Sequence, residues 1–159
     1  MFFRRPAPST IRPLRTSQAD ECAAIHAAGF AHPWSGGEFT HLLAARTSLG
    51  SAALDPASGR LRGFALSRLA ADEAEILTIA VAPAWRKIGV GRDLLRVHLP
   101  EVARAGAHSL FLEVDAENAA ALALYAKFGF RKVGERAGYY RRPGGAPAVA
   151  LVMRRDLVE

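Results

Sequence analysis

A glycine-containing loop in the middle of the chain is the first segment whose residue types could do chemistry. Residues 86–92 read Arg-Lys-Ile-Gly-Val-Gly-Arg and stand between a predicted strand that ends at Val81 and a predicted helix. The first N–H groups of a helix lack intrahelical acceptors and lie at its positive dipole end, so they bind phosphate. Glycines let the backbone approach such a ligand, and Arg86, Lys87 and Arg92 add positive charge. The loop therefore predicts a site for a phosphate-bearing ligand.

Two common phosphate-binding patterns do not fit this loop. A P-loop requires Gly-Lys followed by Ser or Thr, whereas Gly91 is followed by Arg92 and Asp93. A dinucleotide-binding loop requires a third glycine three residues after Gly91, where this chain has Leu94. What remains is an Arg-x-x-Gly-x-Gly pattern that begins at Arg86.

A carboxylate and a tyrosine follow the loop, and both residue types can move protons. Glu113 is the one polar residue in the apolar run 110–114, which is typical of a strand covered on both faces, so we expect a buried carboxylate. Asn118 can cap the next helix, and Tyr125 lies two turns along the same helix face. Purely structural explanations stay open at this point: an ion-paired or edge-exposed glutamate, a capping asparagine and a core aromatic.

Alternating strands and helices must position these residues. Strands are predicted at 10–14, 49–55, 61–70, 75–81, 110–115, 131–136 and 148–154. Helices are predicted at 19–28, with Ser17 as N-cap, and at 38–46, 94–105 and 119–128, with Gly129 ending the last. Pro100 predicts a kink or an early end of the third helix. We therefore expect one α/β domain with a mixed six- to seven-stranded sheet, antiparallel in its N-terminal part, and about four helices.

The composition narrows the class of protein. No run of eighteen apolar residues could span a membrane, and residues 1–8 are expected to form a flexible tail before a domain at 9–159. The one cysteine, Cys22, is expected to be buried, and no histidine pair has ligand spacing, so we expect no metal. The net charge of +6 comes from scattered arginines, which reflect either an arginine-rich composition or attraction to an anionic partner. No nucleic-acid-binding motif is present, and a cytoplasmic location suits this cysteine usage.

Together these segments resemble the GNAT superfamily of N-acetyltransferases, and within it the bacterial ribosomal-protein-alanine N-acetyltransferases of the RimI type. The resemblance rests on IAVAPAWRKIGVGRDLL at 79–95, LFLEVDAENAAALALYAKFGF at 110–130, AGYY at 137–140 and HPWSGGEF at 32–39. It implies the GNAT fold and direct transfer of an acetyl group from acetyl-CoA to a protein N-terminal α-amine in a ternary complex. The implied acceptor is the N-terminal alanine of a small-subunit ribosomal protein.

The resemblance also implies roles for individual residues. It makes Glu113 the proton acceptor for the amine and Tyr125 the proton donor to the departing thiolate. The residues that it implies for acetyl-CoA binding are Ile79, Ala80, Val81, Lys87, Ile88, Gly89, Val90, Gly91, Arg92 and Asn118. Those that it implies for acceptor binding are Trp34, Tyr139 and Tyr140.

One departure from the family concerns the acceptor. Many relatives have an acidic residue before the last strand, whereas residues 147–150 read Pro-Ala-Val-Ala. The choice of acceptor can therefore differ from that of the family. Two alternatives to the implied function also stay open: an acetyltransferase of the same fold that acts on a lysine, a polyamine or another small amine, and a CoA-binding regulatory module without turnover. Intact Glu113 and Tyr125 favour an enzyme. We expect a monomer or weak dimer without membrane or nucleic-acid partners.

Overall fold

The computed structural model describes residues 4–141 and 147–157, with only the backbone described for 139–141 and 147. Its described strands form one seven-stranded sheet in the order β1-β2-β3-β4-β5-β7-β6. The strands are β1 (Thr10–Pro13), β2 (Ser48–Leu54), β3 (Leu61–Ala70), β4 (Glu73–Val81), β5 (Ser109–Asp115), β6 (Arg131–Arg141) and β7 (Pro147–Asp156). Neighbouring strands are antiparallel except β4 and β5, which are parallel. The predicted mixed sheet with an antiparallel N-terminal part is confirmed.

Four α-helices flank the described sheet, as the sequence predicts: α1 (Ala19–Ala27), α2 (Gly36–Ala44), α3 (Val90–Arg104) and α4 (Ala119–Lys127). Ser35 caps α2 in a capping box, because its Oγ accepts from the Glu38 N–H while the Glu38 carboxylate accepts from the Ser35 N–H. Gly129 follows α4 with a φ of +82°, the left-handed conformation that favours glycine after a helix.

Two details of the helices differ from the prediction. Ser17 is not the N-cap of α1, because it lies inside a 3-10 turn at Thr16–Gln18, and Gln18 stands at the cap position. Helix α3 continues through Pro100 to Arg104, so the early end predicted there is wrong. Proline removes one backbone N–H from the helix, and the apolar face of α3 compensates by packing: Leu95, Leu99 and Val102 are all buried.

The sheet separates two layers of helices. On one face, side chains of α3 and α4 pack with Leu110, Leu112 and Val114 of β5. On the other face, α1 and α2 pack over β3 and β4, and the largest buried side chains there are Phe39 and Phe64. Cys22 of α1 is fully buried in this second layer, as expected, and burial raises the pKa of its thiol to about 12.

The segment ahead of β1 contacts the sheet at Arg62, which donates to both Ala7 and Ser9. The Ala7 carbonyl accepts a hydrogen bond of 2.7 Å from Nη1 of Arg62, a buried residue of β3 that also pairs with Asp55 at 2.9 Å. In the residues that the structure describes, no helix has the length and apolar character needed to cross a membrane.

Candidate active site

The sheet opens between β4 and β5. These parallel strands pair from Glu73 and Ser109 as far as Ile76 and Leu112. Beyond that point β4 stays paired with β3 as far as Val81, and β5 stays paired with β7 as far as Asp115. The two strands therefore diverge in the middle of the sheet, and the last residues of both border a gap.

A β-bulge at Leu77 accompanies the opening. Leu66 of β3 pairs with Thr78, whereas the next residue, Ser67, pairs with Ile76, so Leu77 is the extra residue on β4. The bulge shifts the alternation of side chains by one residue. Ile76 consequently packs on the α3 side, whereas Thr78 shares the α1 and α2 side with Leu66.

The end of β4 offers backbone groups to the gap. The Ala82 N–H donates to the Arg62 carbonyl of β3 at 2.8 Å. Because backbone groups alternate along a strand, those of Ile79 and Val81 point away from β3, whereas those of Ala80 point toward it. The Val81 carbonyl accepts from Nε of Arg86 at 3.1 Å. The sequence indicates Arg86 as a positive charge at the start of the glycine pattern; in the structure its side chain also holds the end of β4.

The loop after β4 leads into an uncapped helix. Gly89 stands at the N-cap of α3 with a φ of +92°, and no side chain caps this helix, whereas Ser35 caps α2 and Asn118 caps α4. The Asp93 N–H donates to the Gly89 carbonyl, which begins the helix ladder and leaves the N–H groups of Val90, Gly91 and Arg92 ahead of it. This is the anion-binding arrangement that the sequence predicts.

The two glycines of the loop have different structural roles. Gly89 adopts a left-handed conformation, which side-chain-bearing residues rarely take. A Cβ atom on Gly91 would lie 3.2 Å from Cδ2 of Leu124, so the small residue lets α4 pack closely against the first turn of α3. Lys87 has a φ of +65°, which puts a non-glycine residue in the same left-handed region.

Two clefts flank this loop. One, of about 420 Å³, lies between the loop and the segment 5–9, and the other, of about 530 Å³, lies between α3 and α4. Gly89 and Arg92 line both clefts. The second cleft also has Arg96 and Lys127 on its walls, so cations surround the space next to the free amides of α3.

Asn118 and Tyr125 lie on α4 as predicted. The Asn118 Oδ1 accepts from the Ala121 N–H at 3.2 Å, so this residue caps the helix. Tyr125 is buried on the face of the sheet that also holds Leu112 and Val114, and its ring meets Phe130 edge-on with 5.8 Å between centroids. Burial raises the pKa of the Tyr125 phenol to about 12, so the hydroxyl keeps its proton near neutral pH.

Glu113 is exposed, which corrects the expectation of a buried carboxylate. Its neighbours Leu112 and Val114 face the α3 and α4 layer, so Glu113 points to the opposite face of the sheet. There its Oε1 lies 3.2 Å from Nη1 of Arg136 on β6. The ion-paired glutamate left open by the sequence is therefore the geometry observed. Arg136 is 23 positions away, and no local signal in the sequence indicates the pairing.

The α1 and α2 face also carries an aromatic cluster. Trp34 stacks on the ring of His26 with 4.8 Å between centroids, and Phe30 stacks on the same ring at 4.1 Å. The backbone N–H of Trp34 donates to Nδ1 of His26 at 3.0 Å, so the imidazole is a hydrogen-bond acceptor there. Burial lowers the pKa of His26, and the charge of Glu38 opposes this effect. The sequence did not indicate His26, whose role is to fix the loop that carries Trp34.

Two of the residues expected to bind the acceptor cannot be placed in full. Tyr139 and Tyr140 lie in β6, and their side chains are outside the described part of the structure. Among the residues described, no cluster of three histidine, cysteine, aspartate or glutamate side chains could hold a metal ion.

Comparisons with known proteins agree with this architecture. A sequence model of the acetyltransferase (GNAT) family matches residues 19–130. The N-alpha-acetyltransferase RimI of Mycobacterium tuberculosis is 41% identical over 155 residues, which cover 94% of this chain and 93% of that protein. The crystal structure of the ribosomal-protein-S18-alanine N-acetyltransferase from Escherichia coli has a TM-score of 0.85 at 32% identity, over 95% of each chain.

A more distant solved structure shares the fold. The Arabidopsis thaliana protein NAA60, solved in complex with acetyl-CoA, has a TM-score of 0.79 at 21% identity and covers 93% of this chain and 98% of its own. The resemblance to the RimI type is thus confirmed by close relatives, and the fold by a wider set. Because the family model matches most of its length and the M. tuberculosis relative is 41% identical, this chain belongs to the GNAT family of acetyltransferases.

Proposed function

We propose that this protein transfers an acetyl group from acetyl-CoA to the N-terminal α-amine of a protein, with both substrates bound at once. The observation that carries the proposal is the gap between β4 and β5, which has Tyr125 on one face of the sheet and Glu113 on the other. Two reactants that meet in this gap would have a proton donor on one side and a proton acceptor on the other.

The described residues fit the coenzyme. The free N–H groups at the start of α3, together with Lys87 and Arg92, suit a pyrophosphate, since amides at a helix start and nearby cations both favour negative charge. The backbone groups of Ile79 and Val81 face the gap, where an amide-containing arm can pair with them as a further strand would. Asn118 and the cleft between α3 and α4 extend this surface.

The chemistry required of the protein is modest because acetyl-CoA supplies an acyl group already activated as a thioester. Holding the amine against the acetyl carbon removes the entropy of encounter, which is a large part of the barrier. As the new N–C bond forms, Glu113 accepts the proton that leaves the amine, directly or through water. As the C–S bond breaks, Tyr125 donates a proton to the sulfur. No covalent bond to the enzyme is formed, and Cys22 is buried outside this region.

A protein α-amine suits a single carboxylate base better than a lysine does. The α-amine has a pKa of about 7.8 and the lysine side chain one of about 10.4. Around pH 7.5, roughly a third of the α-amine is neutral, against about one part in a thousand of lysine. The difference in the free energy of deprotonation between the two amines is about 3.5 kcal/mol.

The relatives suggest the identity of the acceptor. The E. coli protein is named for the alanine of ribosomal protein S18, and we extend that acceptor class, an N-terminal alanine on a small-subunit ribosomal protein, to this chain. Such an acceptor implies action in the cytoplasm. Trp34, Tyr139 and Tyr140 are the proposed contacts for the peptide. The absence of an acid at 147–150 leaves room for a different preference after the first residue.

A competition between two peptides tests the proposal. One begins Ala-Arg-Tyr with a free N-terminus; the other has the same sequence with a blocked N-terminus and an internal lysine. Mass spectrometry after incubation with the protein and acetyl-CoA should find acetyl on the free α-amine. Preferential acetylation of the blocked peptide would move the function to a lysine or small amine. Tight coenzyme binding without transfer to peptides, polyamines or other small amines would make the protein a regulatory module.

A further inference from the structure

Thr78 of β4 carries a buried hydroxyl with no hydrogen-bond partner in the described structure. The residue is 6% exposed, and its Oγ1 is among the few buried side-chain atoms left without a partner. Its cross-strand neighbour is Leu66 and the next residue on the same face of β4 is Ala80, so neither neighbouring side chain within the sheet can bond to it. A buried hydroxyl without a partner costs free energy, and such groups in native proteins need an explanation.

The fold itself does not explain this hydroxyl. Valine has the same shape as threonine and fits a strand at least as well, so a purely structural position would gain from losing the oxygen. The β-bulge at Leu77 is what turns Thr78 toward the α1 and α2 face. Without it, Thr78 would follow Ile76 onto the α3 face.

The position of Thr78 supplies the explanation. Pairing between β4 and β5 ends at Ile76 and Leu112, so Glu113 stands one residue beyond the last pair and Thr78 two residues beyond it. Both residues face the α1 and α2 side of the sheet, Thr78 with Leu66 and Glu113 opposite to Leu112 and Val114. A hydroxyl and a carboxylate therefore border the same face of the gap from its two sides.

We propose that the Thr78 hydroxyl accepts a hydrogen bond from the acceptor amine and thereby orients the lone pair of the amine nitrogen toward the acetyl carbon. The inference rests on the proposed acetyl transfer and names a residue that determines how the amine sits in it. A neutral primary amine has two N–H donors; Thr78 takes one while Glu113, directly or through water, receives the proton lost from the other. Thr78 exchanges no proton itself, because an alcohol is far too weak an acid or base for that step at neutral pH.

Two substitutions test this proposal. Thr78→Val removes the hydroxyl and keeps the shape, whereas Thr78→Ser keeps the hydroxyl. For Thr78→Val we expect kcat/KM for the free-N-terminus peptide to fall about tenfold, the scale of one hydrogen bond, with unchanged acetyl-CoA affinity and an equal or higher thermal midpoint. Thr78→Ser should retain most of the activity. Thr10→Val, in β1 far along the sheet, is the matched control and should behave as wild type.

The outcomes separate this inference from the function on which it rests. Wild-type turnover in Thr78→Val, equal losses in the Val and Ser variants, or a lower thermal midpoint in Thr78→Val would each overturn the role of the hydroxyl while the acetyltransferase activity stands. Failure of the wild type to acetylate any α-amine would overturn both.

Discussion

Glu113 and Arg136 form an ion pair on the open face of the sheet, with 3.2 Å between Oε1 and Nη1. The pair holds the carboxylate beside the gap without burying it, since about a third of the Glu113 side chain stays exposed. Arg136 reaches it from β6 across β7, whose Val152 stands opposite Glu113. The proposed base is therefore positioned by the two closing strands of the sheet.

Replacing Glu113 by glutamine should lower turnover by about 10²-fold or more, the usual scale for losing a general base. Because the side chain is exposed, the thermal midpoint and acetyl-CoA affinity should change little. Steady-state kinetics at saturating substrates measure the effect. Glu135→Gln is the matched control, since Glu135 is an exposed glutamate of β6 that pairs with Lys132. Similar turnover in both variants would remove Glu113 from the mechanism.

Replacing Tyr125 by phenylalanine should also lower kcat by about 10²-fold while the ring packing against Phe130 is kept. Burial disfavours the phenolate and raises the pKa of Tyr125 to about 12, so the donor stays protonated. At pH 10 about one Tyr125 side chain in a hundred has lost its proton, whereas an ordinary tyrosine is half ionised at that pH. Turnover should thus show no loss from Tyr125 ionisation below pH 10. Near-normal kcat in the phenylalanine variant would assign Tyr125 to packing alone.

Much of the fold could be predicted because local signals were strong. The strand 61–70 has the predicted bounds, and Gly129 ends α4 through its left-handed conformation. The loop at 86–92 was found because glycines and cations before a helix have a direct physical meaning. At these positions the local structure is determined by residues that are adjacent in sequence, so the sequence pattern alone predicts it.

The position of Glu113 could not be predicted from the sequence. An apolar run around one carboxylate indicates a strand covered on both faces. On the face that holds Glu113, however, the guanidinium carbon of Arg154 of β7 lies over Phe111, at 5.4 Å from the centroid of its ring. Coverage there comes from a charged side chain distant in sequence, and the carboxylate next to it is exposed. The bulge at Leu77 could not be predicted from the sequence either, since it depends on the register in which β3 pairs with β4.

The cations at the start of α3 should bind the coenzyme phosphates. Substituting the glycines is a poor test, because Gly89 needs its left-handed conformation and Gly91 touches Leu124. Arg92→Gln should instead weaken acetyl-CoA binding about tenfold in calorimetry, with a smaller difference at high salt, since exposed charges are screened. Arg104→Gln, at the other end of the same helix, is the matched control. Equal affinities of the two variants at low salt would place the phosphates elsewhere.

His98 should make the protein sensitive to acid. This fully buried imidazole of α3 lies between two serines, with Nδ1 2.8 Å from the Ser51 Oγ and Nε2 2.7 Å from the Ser67 Oγ. Burial lowers its pKa from 6.5 to about 4, so between these values the unfolded chain binds more protons than the folded one. The free energy of unfolding keeps the full contribution of the neutral His98 above about pH 6.5. It falls as the pH falls toward 4, by about 3 kcal/mol in total.

Denaturant unfolding at several pH values between 4 and 7.5 measures this dependence, and His98→Gln removes the titrating group. The wild type should lose free energy of unfolding more steeply than the variant across that window, by up to about 1.4 kcal/mol per pH unit. His41→Gln, which replaces an exposed histidine of α2, is the matched control and should leave the wild-type slope unchanged. Parallel curves for the wild type and His98→Gln would contradict this prediction, because they would mean that His98 gains a proton between Ser51 and Ser67 in the folded protein at no cost in stability.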